Sequence, residues 1–116
     1  MIIIAKLLLA ICILAILFLL FPLIQVSGDS MLPTLKDNQL LLGCVLFKLK
    51  KGEIYVYKSP VDEKIVIKRL KNFDGEHCFF VGDNKRVSVD SRKYGLVPKK
   101  NIIAKVLFVG GKKNEF

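Results

Sequence analysis

Cysteine is scarce in this chain. The three present in 116 residues, Cys12, Cys44 and Cys78, show neither metal-ligand spacing nor a disulfide framework. A zinc-stapled or disulfide-dense small fold is therefore excluded. Cys12 falls inside an apolar run, while Cys44 and Cys78 sit among apolar neighbours in the manner of buried thiols, with a pairing of those two left open. Internal repeats are missing, and past residue 25 no stretch keeps a helical period, which argues against a solenoid or a helical bundle. Histidine occurs once, as His77 behind a turn, and is read as incidental. Acidic residues are also few, 10 against 19 basic ones. The length leaves room for one compact domain and one accessory element.

What is abundant is apolar: 53% of the residues, much of it at the start. From Leu7 to Ile24 the chain runs for 18 residues without a charge. At about 1.5 Å per helical residue this covers roughly 27 Å, close to the hydrocarbon thickness of a bilayer. Residues 1–5 extend the run, and Lys6 can snorkel to the headgroups. A cleavable signal would end in a small-x-small site, whereas this run ends Phe21-Pro22-Leu23-Ile24-Gln25-Val26. A buried core helix is disfavoured because so little chain remains to enclose a helix apolar on all sides. The expectation is an uncleaved single-pass anchor over residues 1–25 and a folded domain over residues 26–116.

Past Lys6 there are 18 basic and 10 acidic residues, a net +8. The basic residues are scattered and carry no aromatic stacking pattern, so no nucleic-acid partner is expected. Attraction to anionic lipid beside the anchor fits at least as well, and a solvated basic surface fits better than either. Charge counting alone would put the basic part in the cytoplasm, a rule that fades for folded domains.

The rest reads as short strands. Leu40 to Phe47 is a buried strand, Glu53 to Tyr57 alternates, and Ser59-Pro60 ends it. Ile65 to Leu70 is a third, Asp74-Gly75 a turn, and His77 to Val81 a fourth. Residues 82–95 form a polar structured loop, Ile102 to Val109 is a fifth strand, and Gly110-Gly111 opens a basic tail. The fold class expected is mostly β, a small antiparallel barrel or coiled sheet behind one N-terminal transmembrane helix.

Two residues invite a chemical reading. Lys68 lies in a strand with apolar neighbours on both faces, and burial disfavours its ammonium, which can turn a lysine into a usable base. The alternative is that Lys68 points outward and Arg69 inward. Ser30 lies in a polar loop between Gly28, which allows a close backbone approach, and Pro33, which stiffens the exit. A serine that attacks an amide needs a base in hydrogen-bond reach and amide N–H groups facing the developing oxyanion. A serine–lysine pair is a known variant of that arrangement.

The residues from Ser27 to Leu35, with Ser30-Met31-Leu32-Pro33-Thr34 at their centre, resemble the nucleophile box of type I signal peptidases. Gly52-Glu53-Ile54-Tyr55-Val56-Tyr57 looks like the family's Gly-acid strand, and Lys68-Arg69 like its Lys-Arg box. Gly82-Asp83-Asn84, Ser88, Asp90-Ser91-Arg92 and Gly95 resemble its last box. All four boxes follow in order behind the N-terminal apolar segment and cover most of the chain. The resemblance implies Ser30 as nucleophile, Lys68 as general base and Ser88 as the residue that orients the lysine. It also implies Asp90 and Arg92 as a structural ion pair and Asp83 as a supporting polar group.

Three departures stand out. Where some relatives carry a serine that helps hold the oxyanion, this chain has Gly28, so backbone groups at Ser30 and near Gly28 are expected to serve. The large accessory domain of longer members is missing between Lys68 and Asp83. Eukaryotic-type relatives use histidine where this chain has Lys68. The implied activity is removal of signal peptides from membrane-tethered preproteins with small residues one and three positions before the cut. It needs no metal or cofactor and works on the extracytoplasmic face. The same residues would equally serve a protease dedicated to one partner, such as a nickel superoxide dismutase or a pilin. A self-cleaving repressor of the LexA type shares the chemistry but lacks the span, and a non-enzymatic basic domain tethered to a membrane is the remaining class.

Overall fold

The structure is a computed structural model that describes residues 1–109; the basic tail read from Gly110 onward lies outside the described residues. Its first element, α1 (Ile2–Leu20), contains no buried residue and is long and apolar enough to cross a membrane. The helix stops short of the apolar run's end. Pro22 lacks an amide hydrogen and disfavours helical backbone in Phe21, so the chain leaves the helix there. Residues Leu23–Gln25, read above with the anchor, instead form strand β1.

Six further strands follow: β2 (Leu40–Cys44), β3 (Ile54–Lys58), β4 (Ile65–Asp74), β5 (His77–Val81), β6 (Val97–Pro98) and β7 (Ile102–Val109). They make one antiparallel sheet in the order β1-β2-β7-β3-β4-β5-β6, curled into a half barrel with β1 and β6 at its edges. The coiled antiparallel sheet expected from the sequence is therefore the fold. Two strands were not legible, because three residues of β1 hide in the apolar run and β6 is two residues ending in Pro98. The polar loop holds a one-turn helix, α2 (Ser91–Tyr94), capped by the Asp90 carboxylate, which accepts the Arg92 amide hydrogen.

β3 is the central strand and is buried on both faces. On one face Ile54 and Val56 pack with Met31, Leu35, Leu41, Ile67 and Val106; on the other, Tyr55 and Tyr57 pack with Leu70, Cys78, Phe80 and Val97. The first layer exists because the chain between β1 and β2 folds back over the sheet and plugs it with Met31 and Leu35. That same segment carries Ser30. Burying two such apolar clusters is the main stabilisation available to a domain this small. Cys44 and Cys78 are both buried and both free thiols, so the pairing left open does not form.

Candidate active site

Lys68 stands opposite Tyr55 in the β3–β4 register and shares its face of the sheet with Val66 and Leu70. It is 5% exposed, whereas Arg69, on the other face, reaches partly into solvent. Of the two orientations considered, Lys68 is the inward one. Burial lowers its pKa from the ordinary lysine value, and the negative charge of Asp90 opposes that in part. Its amine Nζ lies 2.7 Å from Ser30 Oγ, which is its only hydrogen bond among the described residues.

The loop that carries Ser30 is sewn to the segment after β5. The Asn84 amide donates to the Ser30 carbonyl at 2.8 Å, and the Asn84 side chain donates to the Asp29 carbonyl at 3.1 Å. Gly82 fills the narrowest point of this seam: a Cβ there would collide with the Ser88 side chain and sit 2.7 Å from the Ser30 carbonyl oxygen. The Gly in Gly82-Asp83-Asn84 is thus required by space. At Gly28 it is required by backbone conformation, with φ at +88°.

Asp83 clamps the loop from the side. Its carboxylate accepts from Thr34 Oγ1 at 2.5 Å and takes the Arg69 guanidinium at 2.8 and 2.7 Å, while Arg69 also donates to the Gly52 carbonyl at 2.6 Å. Burial alone would raise the Asp83 carboxyl, but Arg69 and Thr34 outweigh it and hold the pKa below the ordinary value. Three of the recognised boxes meet at this one carboxylate.

Asp90 is 0% exposed and saturated. Its oxygens accept from the Gly82 amide at 2.8 Å, from Ser88 Oγ at 2.6 Å, and from the Arg92 amide and side chain at 2.8 to 3.1 Å. Burial works to raise its pKa, yet Arg92, Ser88 and the two amides hold it well below the usual carboxylate range. Asp90 and Arg92 form an ion pair at 2.8 Å. Ser88 differs from its expected position in the network: its hydroxyl donates to Asp90, not to Lys68, and Asp90 in turn acts on Lys68 only through its charge, with no hydrogen bond between them among the described residues. Gly28 differs too, since its N–H donates to Asp37 at 2.7 Å and is not free for an oxyanion. The Ser30 N–H has no acceptor among the described residues and is the donor left.

Sequence reasoning missed the Arg69–Asp83–Thr34 link, the Gly28–Asp37 bond and the role of Asn84 in the seam. Each of those residues lies in or beside a recognised box, but which pairs with which is a matter of three-dimensional proximity.

A cleft of about 330 Å³ opens from the Ser30–Lys68 pair along the start of β4, lined by Ile24, Gln25, Ser27, Lys64 and Ile65 among others. It lies between β1 and residues 65–68 of β4, whose outer edges carry no strand partner. A larger hollow of about 570 Å³, beside Thr34, Asp83 and Arg92, touches neither Ser30 nor Lys68. No group of three or more His, Cys, Asp or Glu side chains among the described residues is placed to hold a metal ion.

A partly buried serine in hydrogen-bond contact with a buried lysine thus lies at the mouth of a cleft on a curled antiparallel sheet, and comparison with known proteins gives the family. The family described as Peptidase S24-like matches residues 21–107, and the chain belongs to it. The chain is 37% identical over 82 residues to signal peptidase I of Buchnera aphidicola, covering 63% of this chain and 26% of that protein. To mitochondrial inner membrane protease subunit 1 it is 32% identical over 113 residues in Schizosaccharomyces pombe (76% and 72% covered). The mouse subunit is 27% identical over 110 residues (73% and 66% covered). The chain thus spans about two thirds of the mitochondrial subunits and about a quarter of the bacterial enzyme. Its core is of the type I signal peptidase kind.

Proposed function

We propose that this chain is a membrane-anchored serine endopeptidase that removes signal peptides, with Ser30 as nucleophile and Lys68 as general base. The observation that carries this reading is the 2.7 Å approach of Ser30 Oγ to an amine that the sheet keeps from water. An ammonium could not accept the serine proton; a neutral amine can, and burial is what makes neutrality affordable near physiological pH.

In the cycle, neutral Lys68 takes the Ser30 hydroxyl proton as Oγ attacks a substrate carbonyl. The Ser30 amide donates to the developing oxyanion. The charged Lys68, steadied by the field of buried Asp90, returns the proton to the leaving amine. Water then attacks the acyl-enzyme with Lys68 again as base. Asp83 and Arg69 hold the nucleophile loop against β4, while Ser88 and Arg92 fix Asp90.

Substrate recognition follows from the unpartnered edges of β1 and β4, between which an extended peptide can be held by main-chain hydrogen bonds. Helix α1 serves as the uncleaved anchor and the chain from β1 onward as the catalytic domain, on the extracytoplasmic face where membrane-tethered preproteins present their cleavage sites. Confinement to that surface raises the effective concentration of substrate.

The test is cleavage of a preprotein carrying alanine one and three positions before the cut by the detergent-solubilised full chain. Ser30→Ala and Lys68→Ala are each expected to abolish it while the fold, followed by circular dichroism, stays intact. Cleavage that survives either substitution refutes the assignment, as would indifference of the wild-type rate to pH. Candidate dedicated substrates in the same assay distinguish a general from a specialised enzyme.

A further inference from the structure

The cleft wall contains two lysines, Lys64 and Lys68, and no carboxylate. Resting on the protease reading above, we infer that Lys64 is a specificity-determining residue. It favours substrates with an acidic side chain about four residues before the scissile bond and disfavours those with a basic one.

The placement of Lys64 follows from strand register. Lys68 pairs with Tyr55, Tyr55 with Lys105, and Lys105 with Cys44, so these four stand in one row across the sheet. Stepping from Lys68 towards Ile65 on β4 corresponds to stepping from Lys105 towards Ile102 on β7, and beyond Cys44 on β2. There the Val45 amide donates to the carbonyl of Leu20, the last residue of α1. The Lys64 end of the cleft is therefore the anchor end. A substrate held in the same bilayer enters there, with its membrane-embedded N-terminal side towards Lys64 and its cut at Ser30.

At about 3.3 Å per residue, the four steps from Lys64 to Lys68 span roughly 13 Å, which an extended substrate matches with four steps of its own. Lys64 is exposed, and its ammonium forms no ion pair among the described residues. Two carboxylates neighbour it in the β3–β4 hairpin. Asp62 accepts the backbone amide hydrogen of Lys64 at 3.0 Å, and neither Asp62 nor Glu63 lines the cleft. Within the cleft wall the Lys64 ammonium thus has no carboxylate partner, and a substrate carboxylate can supply one.

The experiment uses the full chain in neutral detergent, which removes competing anionic headgroups. Three preproteins identical except for Glu, Gln or Lys four residues before the cut are compared by kcat/KM. Exposed ion pairs being weak, the expected Glu-to-Lys preference is about two- to five-fold, shrinking at high salt and reversing in Lys64→Glu. A Glu-to-Lys ratio that Lys64→Glu leaves unmoved, with the Gln substrate still cut in a Ser30-dependent way, overturns the inference alone. Failure of the wild type to cut the Gln substrate overturns the protease reading and this inference together.

Discussion

Replacing Lys68 by Met should destroy activity and at the same time stabilise the fold, and the stabilisation should depend on pH in a way fixed by the enzyme's own pH–rate curve. The reason is linkage. In the unfolded chain Lys68 titrates near the ordinary lysine value of 10.5; in the folded chain burial lowers that value. Between the two, the unfolded state binds the extra proton, so stability rises with pH across that window. Each pH unit separating the two values corresponds to about 1.4 kcal/mol of stability that the wild type forgoes at low pH. Methionine fills a similar volume without an ionisable group, so it escapes this penalty.

Two opposing costs do not vary with pH: loss of the Ser30 contact, about 1 kcal/mol, and imperfect packing, below about 1.5 kcal/mol. The informative quantity is therefore the pH-dependent part of the gain. Denaturant unfolding of wild type and Lys68→Met in the same detergent, over a pH series, supplies it. The midpoint of the rise in wild-type kcat/KM supplies the folded-state pKa independently. The gain should be greatest below that midpoint and vanish above the ordinary lysine value. A gain that is flat in pH, or a rate midpoint at the ordinary lysine value, would refute the claim that burial of this amine creates the base.

The two carboxylate networks give separable outcomes. Asp83→Ala cuts the links to Thr34 and Arg69; with Arg69 32% exposed, the stability loss should be moderate, about 1–3 kcal/mol by thermal or denaturant unfolding. Its kcat/KM should fall more than about tenfold, because a small displacement of the Ser30 loop spoils the attack geometry; a wild-type rate and stability would show that the clamp is idle. Ser88→Ala frees one Asp90 oxygen from a hydrogen bond and strengthens the field at Lys68, so the pH–rate midpoint should move to higher pH, with activity reduced less than in Ser30→Ala. An unmoved midpoint would remove Ser88 from the positioning of the base.

The sequence by itself determined a good deal. The charge-free apolar run that begins at Leu7 predicts a helix long enough to cross a membrane, and α1 takes up most of that run, up to Leu20. The β-branched and aromatic residues of Ile54–Lys58 mark it as a strand, although β3 is buried on both faces and so shows no alternation; the limits of β5 and β7 could be read from turn residues and β-branched runs. What periodicity cannot supply is which strand lies beside which. The order β1-β2-β7-β3-β4 is a long-range result, and it alone brings Ser30, 38 residues before Lys68, to within hydrogen-bond distance of its amine. The same holds for Asp83 with Thr34, which lie 49 residues apart. Local sequence selects the residues able to carry charge or lose it; the packed sheet decides which of them are kept dry and placed in contact, because both depend on neighbours far away along the chain.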